Sequence, residues 1–246
     1  MPAMEWQWTP YSVPVVVAVV LSAALAVQAW RKRPSAGAAS VALLMTALAW
    51  WSFGYALELS AATFDWELLW TNVQYLGIVL SPAAWLLFAV DYSGRRRRLT
   101  RRSLVLLAIE PVLALVLVWT NSAHHLVWRS VELVNTAGFN ALSRTYGIAF
   151  WIHTAYSYAL LLTGAVLLLG YLLRSPRLFR GQFVAALVAV AVPWVGSILY
   201  VTRLNPFDGL DISPLAFTLS GVCVVFGLYR YRLLDLVPVA RDVLIE

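Results

Sequence analysis

One cysteine, one lysine and three histidines in 246 residues leave little room for several kinds of chemistry. Cys223 stands alone, so no disulfide framework and no thiolate metal cluster can form within the chain. Lys32, the sole lysine, lies in a polar gap between apolar runs. A retinal-type Schiff base needs a lysine buried within a helix, and none exists. His124 and His125 are adjacent and would point about 100° apart on a helix, whereas zinc pairs usually sit at i and i+3 or i+4. No spacing forces His153 into a metal set, and neither an HExxH nor a GxSxG pattern occurs. Neither a metal nor a cofactor is expected. Charge is scarce too: 12% of residues are charged, 61% are hydrophobic, and the mean hydropathy is +0.76. That is far more apolar than a soluble domain of this length.

What is present is a series of seven apolar stretches, at 11–30, 37–59, 66–92, 103–121, 146–173, 181–203 and 211–229. A hydrocarbon core about 30 Å thick needs about 20 helical residues, so each stretch can span. The expected fold is an all-α polytopic membrane protein, a bundle of seven transmembrane helices over 1–229 followed by a cytoplasmic linker over 230–246. Most Lys and Arg residues lie in alternate gaps, those beginning at Arg31, Arg95 and Arg174, and in the tail from Arg230. The remaining gaps hold only Arg129, Arg144 and Arg203. Positive-inside bias then places the N-terminus outside and the C-terminus in the cytoplasm of a multi-pass inner-membrane protein. The arginine run 95–102 lies directly between two spans, where topology-setting and anionic lipid explain it better than nucleic acid does. The first stretch is read as a retained helix, because residues 1–10 carry no basic charge.

The connections are short except for 122–145, on the outer side. The alternation around Val131 and Leu133, with the turn-prone 135–138, predicts a small hairpin or lid there. Pro82, Pro111, Pro193 and Pro214 fall inside spans, where each removes a backbone hydrogen bond and can kink a helix. Trp6, Trp8, Trp30, Trp128 and Tyr146 are placed at the membrane interfaces. Trp51, Phe53, Tyr55, Trp85, Phe150 and Trp151 sit deeper, where some must face other helices.

Ionisable and polar groups inside a bilayer are costly and raise a functional question. Glu58, Asn72, Tyr75, His153, Trp194 and Asp211 come from different spans yet share one depth, in the outer part of the bundle. They are the candidate ligand-binding residues of an outward-facing pocket between the second, third, fifth, sixth and seventh spans. His124, His125 and Asp208 are better read as an external rim. Glu110, deeper in the fourth span, is expected to be a buried polar node, with a proton-sensitive switch or a transport path as alternatives. Transmission is assigned to the last helix and its extension, through Pro214, Phe217, Arg230, Arg232, Asp235 and Pro238.

Four strings carry a family resemblance: AWWSFGYALELSA (49–61), WTNVQYLGIVLSPAAWLLFAVDYSG (70–94), EPVLALVLVWTNSAHHLVW (110–128) and the segment 211–246. Together they resemble the N-terminal seven-helix sensor region of membrane histidine kinases. The most specific part is the Arg-x-Arg-Leu-Leu-Asp-Leu-x-Pro-Val-Ala-Arg stretch, here Arg230 to Arg241. The resemblance implies an input module that senses an extracellular or membrane-borne signal and passes it to cytoplasmic signalling domains. The chain is therefore expected not to be an enzyme itself, since it carries neither a phosphoacceptor helix nor an ATP-binding domain. Whether it is a piece of a longer kinase or a stand-alone module is left open. Expected partners are the lipid bilayer, a small-molecule signal and a cytoplasmic histidine kinase or other signalling domain. A second copy of the chain is a further candidate, and nucleic acid is excluded. The alternative from another class is a small proton- or ion-coupled transporter using Glu110, His153 and Asp211. No internal repeat supports it.

Overall fold

The computed structural model describes residues 5–33, 37–95, 99–136, 139–174, 188, 191–192, 194–199, 202 and 211–230. Helices α1 (Ser12–Arg31), α2 (Ala38–Ser60), α3 (Phe64–Tyr92) and α4 (Arg101–Trp119) come first. A short α5 (Asn121–His124), strands β1 (Trp128–Thr136) and β2 (Phe139–Tyr146), then α6 (Ile148–Leu173) and α7 (Ser213–Arg230) follow. Five helices, α1 to α4 and α6, are long and apolar enough to cross a membrane, and Ser213–Cys223 of α7 forms a shorter apolar helix. Most of the sixth expected stretch falls outside the described residues, although 194–199 is helical. Arg232, Asp235, Pro238, Asp208 and Pro193 also lie outside them.

Local chemistry accounts for several helix ends. Thr100 caps α4, its hydroxyl accepting the Ser103 N–H at 3.2 Å. Asp65 and Glu67 occupy the first turn of α3, where the helix dipole favours negative charge. Gly37, at φ 80°, supplies the left-handed residue from which α2 starts. The prolines divide into two kinds. Pro111 lies inside α4 and cannot donate to the Leu107 carbonyl; the Tyr156 hydroxyl of α6 donates to that oxygen instead, at 2.9 Å. Pro214 corrects the expectation of a kink. It is the second residue of α7, where helical N–H groups have no intrahelical acceptor and proline costs nothing.

The centre of the bundle is the α2–α3 pair, flanked by α1 and α7 on one side and by α6 on the other. Two glycines let the central backbones approach. A Cβ on Gly54 would meet the Gln74 Cβ at 2.6 Å, and one on Gly77 would meet the Trp51 nitrogen at 2.6 Å. Ser22 of α1 and Thr218 of α7 share a buried hydroxyl contact of 3.1 Å. By contrast, α4 leaves Leu104, Val105, Leu106, Ile109, Val112 and Val116 exposed around much of its circumference. An apolar helix with an exposed apolar surface is satisfied by lipid rather than by water.

The helical fold carries one antiparallel hairpin, paired from Trp128↔Tyr146 to Thr136↔Phe139. The expected hairpin is therefore present, although its exposed positions include Leu133. A polar latch fixes it. The Gln7 amide donates to Asn140 O at 2.8 Å and to Ala61 O at 2.7 Å, and its oxygen accepts the Asn140 N–H at 2.8 Å. Asn140 in turn donates to Ala62 O at 2.9 Å. The N-terminal segment, the α2–α3 junction and the hairpin thus meet at one end of the bundle.

Candidate functional site

Beneath that hairpin lies a cavity of about 120 Å³ whose wall follows helical periodicity. Trp51, Tyr55 and Glu58 form one stripe of α2, spaced i, i+4, i+7; Thr71, Gln74, Tyr75, Ile78 and Pro82 form the matching stripe of α3. Phe150, His153, Thr154, Ser157, Tyr158 and Leu161 supply the α6 wall, and Ser197 contributes from 194–199. Trp128 and Arg144 close it from the hairpin; Asp211, Ser213 and Phe217 close it from the start of α7.

An ion pair organises its upper end. The Arg144 guanidinium reaches inward from β2 to the Glu58 carboxylate and donates to Thr71 Oγ1 at 2.7 Å. Gln74 donates its amide to the other Glu58 oxygen. Both charged side chains are largely buried, 13% exposed for Arg144 and 7% for Glu58, and a pair so desolvated needs these extra hydrogen bonds to hold. Glu67 lies within the same electrostatic cluster and is 1% exposed. At the far wall His153 Nδ1 lies 2.8 Å from a Glu110 carboxylate oxygen, and His153 Nε2 lies 3.4 Å from the Ser157 hydroxyl. Glu110 therefore ties α4 to the cavity wall through His153, rather than standing apart from it.

The last helix joins the cavity through two contacts. The Asp211 N–H donates to the Tyr55 hydroxyl at 2.7 Å, and the Asp211 carboxylate accepts the Ser213 N–H at 2.8 Å, capping α7. One turn below, the Phe217 ring lies 5.8 Å from Trp51.

A family described as the N-terminal 7TM region of histidine kinase matches residues 14–238. The chain belongs to that family. No curated protein matches it. The chain is accordingly a multi-pass membrane protein from a signalling family, and the five long apolar helices among the described residues agree with that.

Among the candidate residues read from the sequence, Glu58, Tyr75, His153 and Asp211 line one cavity. Asn72 does not. It lies about 100° from the Thr71 position and off the 71–74–75–78 stripe, so its neighbour Gln74 takes the place beside Glu58. Trp194 does not line the cavity either; it stacks on Tyr158 at 5.3 Å, behind the wall. Among the transmission residues, Pro214 and Phe217 are buried in α7, and Arg230 ends it. Of the aromatics placed deep along the spans, Phe53 and Trp151 are 44% and 46% exposed on the outside of the bundle, while Trp128, placed at an interface, is 2% exposed. Asn121 accounts for the burial of Trp128. Its side chain bonds the Val127 and Trp128 N–H groups and the Trp128 carbonyl, which seats the indole edge-on against Tyr75 at 5.5 Å. His124 serves the same turn, accepting the Leu126 N–H at 3.0 Å.

The main residue missed from sequence is Arg144, which counts there only as a cation of an outer loop. A signal existed: in a strand, Leu142, Arg144 and Tyr146 share one face, and Leu142 and Tyr146 are apolar-bodied. Glu67 was also missed, and Gln74, a polar group of the same depth, takes the place given to Asn72 through the turn geometry of α3. Among the described residues, no group of three His, Cys, Asp or Glu side chains is arranged to hold a metal ion. The site instead offers an aromatic-walled volume with a few fixed polar groups, the usual character of a small-molecule cavity.

Proposed function

We propose that this 7TM region is the sensory input module of a histidine-kinase-type receptor in the cytoplasmic membrane, with residues 1–229 as sensor and 230–246 as linker. A small molecule arriving from outside, or dissolved in the membrane, occupies the cavity beneath the hairpin. The last helix then carries the change to a cytoplasmic kinase or other output domain. The alternation of basic connections supports this orientation, with the latched N-terminus and hairpin outside.

One observation carries the reading: the cavity is shared between a packed scaffold and the beginning of the last helix. Its α2, α3 and α6 walls pack through Gly54, Gly77 and Gly164, and its α7 wall is joined to them by Tyr55, by Trp51, by the Ser22–Thr218 contact and by Gly221 against Met45. An occupant that touches both can favour one position of α7 over another. Coupling of that kind needs a difference in affinity between the two states of about 1–3 kcal/mol.

The test is a kinase output fused after Glu246, with one to four alanines inserted between Leu236 and Pro238. Each alanine turns a following helical segment by about 100°, so output is expected to vary with the phase of the insertion. Constant activity through the whole series would show that the last helix is not the reporter.

A further inference from the structure

The charges of the cavity do not balance, and its walls suggest what would balance them. Glu58 and Asp211 line it. Arg144 is the one cationic side chain of the described lining besides the histidine, and its guanidinium is engaged with Glu58 and Thr71. His153 is engaged with Glu110. Among the described residues, Asp211 has no ion pair: its described bonds run from its own N–H to Tyr55 and from its carboxylate to Ser213. Around that carboxylate the wall is aromatic. The Tyr55 hydroxyl accepts the backbone N–H of the same residue, Trp51 lies one turn along the same stripe of α2, and Phe217 faces Trp51 from α7.

We infer that the cavity receives a small organic ammonium ion, seated between the Asp211 carboxylate and the faces of Tyr55, Trp51 and Phe217. A cation is attracted to the negative faces of aromatic rings, most strongly when it has left water, and it supplies the missing counter-charge to a partly buried carboxylate. An anion would meet two carboxylates and would have to take Arg144 from Glu58. A neutral apolar molecule would leave the carboxylate excess unanswered. The volume of about 120 Å³ suits a molecule of several heavy atoms rather than a bare metal ion or a lipid chain. This inference rests on the sensory reading above and names the chemical class of its signal. It also gives that signal a direct hold on α7, because Asp211 is both the counter-charge and the cap of that helix.

The experiment uses the full chain purified in detergent, with binding followed by calorimetry and by thermal shift. The probes are choline, phenethylamine, and the uncharged isostere of choline, 3,3-dimethyl-1-butanol. At least one ammonium probe is expected to saturate, and choline is expected to bind about tenfold or more tighter than its isostere. Asp211→Asn is expected to abolish that preference while leaving 3,3-dimethyl-1-butanol binding unchanged, and Asp211→Glu to restore it in part. Retained binding of the neutral isostere, together with an unchanged helical circular dichroism spectrum, shows that the variants are folded. Equal binding of choline and its isostere to the parent chain overturns the cation assignment while leaving the cavity as a ligand site. Saturable binding by none of the three overturns the assignment and removes the cavity as a sensor for molecules of this size.

Discussion

The hydroxyl of Tyr55, in the middle of the bundle, accepts the backbone N–H of Asp211 at 2.7 Å. This one bond joins α2, among the most enclosed helices, to the residue that caps α7. It runs across the cavity wall, so whatever enters the cavity lies beside the joint between scaffold and last helix.

Replacing Tyr55 by Phe removes the acceptor and keeps the ring. The loss of one such bond costs about 1 kcal/mol net, so amide hydrogen exchange across 211–216 is expected to quicken several-fold. Exchange in α2 and α3 is expected to stay as it was. Unaltered exchange at 211–216 would show that Tyr55 does not restrain the start of α7.

Arg144→Ala leaves Glu58 buried with Gln74 as its remaining partner. Breaking a buried pair on one side typically costs about 3–5 kcal/mol, because an uncompensated charge remains. The double variant Glu58→Ala with Arg144→Ala is expected to recover part of that loss. The measurement is the unfolding midpoint in mixed micelles, read for both single variants and the double. Strict additivity of the two single effects would mean that the pair does not interact as described.

Ser22 and Thr218 place their hydroxyl oxygens 3.1 Å apart across the α1–α7 contact. With Cys223 replaced by Ala, Ser22→Cys and Thr218→Cys are expected to cross-link on mild oxidation. The lock is expected to hold a fused kinase at a single level of output whatever ligand is supplied, and a reductant is expected to release it. A cross-linked receptor that still responds would show that α7 need not move against α1.

Orientation is open to direct labelling. Trp8 is 77% exposed at the latched end, and Arg33 is exposed at the far end of α1. A membrane-impermeant thiol reagent applied from outside is expected to modify Trp8→Cys and to spare Arg33→Cys, both in a Cys223→Ala background. The opposite pattern would overturn the proposed orientation.

Hydropathy and helix length made five spans legible among the described residues, because a backbone in hydrocarbon must satisfy itself and a 20-residue apolar run leaves few alternatives. The ends of α1, α2 and α3 fall within two residues of the apolar boundaries for this reason. The hairpin was legible from period-two alternation and a turn signal, and its pairing from Trp128 to Thr136 follows. That Glu58, Tyr75, His153 and Asp211 sit at one level of the bundle, where they line one cavity, follows from their positions along the chain.

Rotation and partnership were not legible, because they depend on which helices are neighbours. Apolar residues surround these helices on all sides, so no polar face announces an inward direction, and Asn72 and Gln74 cannot be told apart by composition. The contact of α2 with α3 turns Gln74 toward Glu58 and leaves Asn72 off the cavity. The contact of α4 with α6 brings Glu110 to His153 and Tyr156 to the carbonyl that Pro111 leaves open. The fold of the hairpin over the bundle takes Arg144 from an outer loop to the buried carboxylate of Glu58. Sequence by itself determined that this chain crosses a membrane several times with polar groups at one level. Only the tertiary structure decided which of them meet, because a burial cost is met by a partner in space and not by a neighbour in the chain.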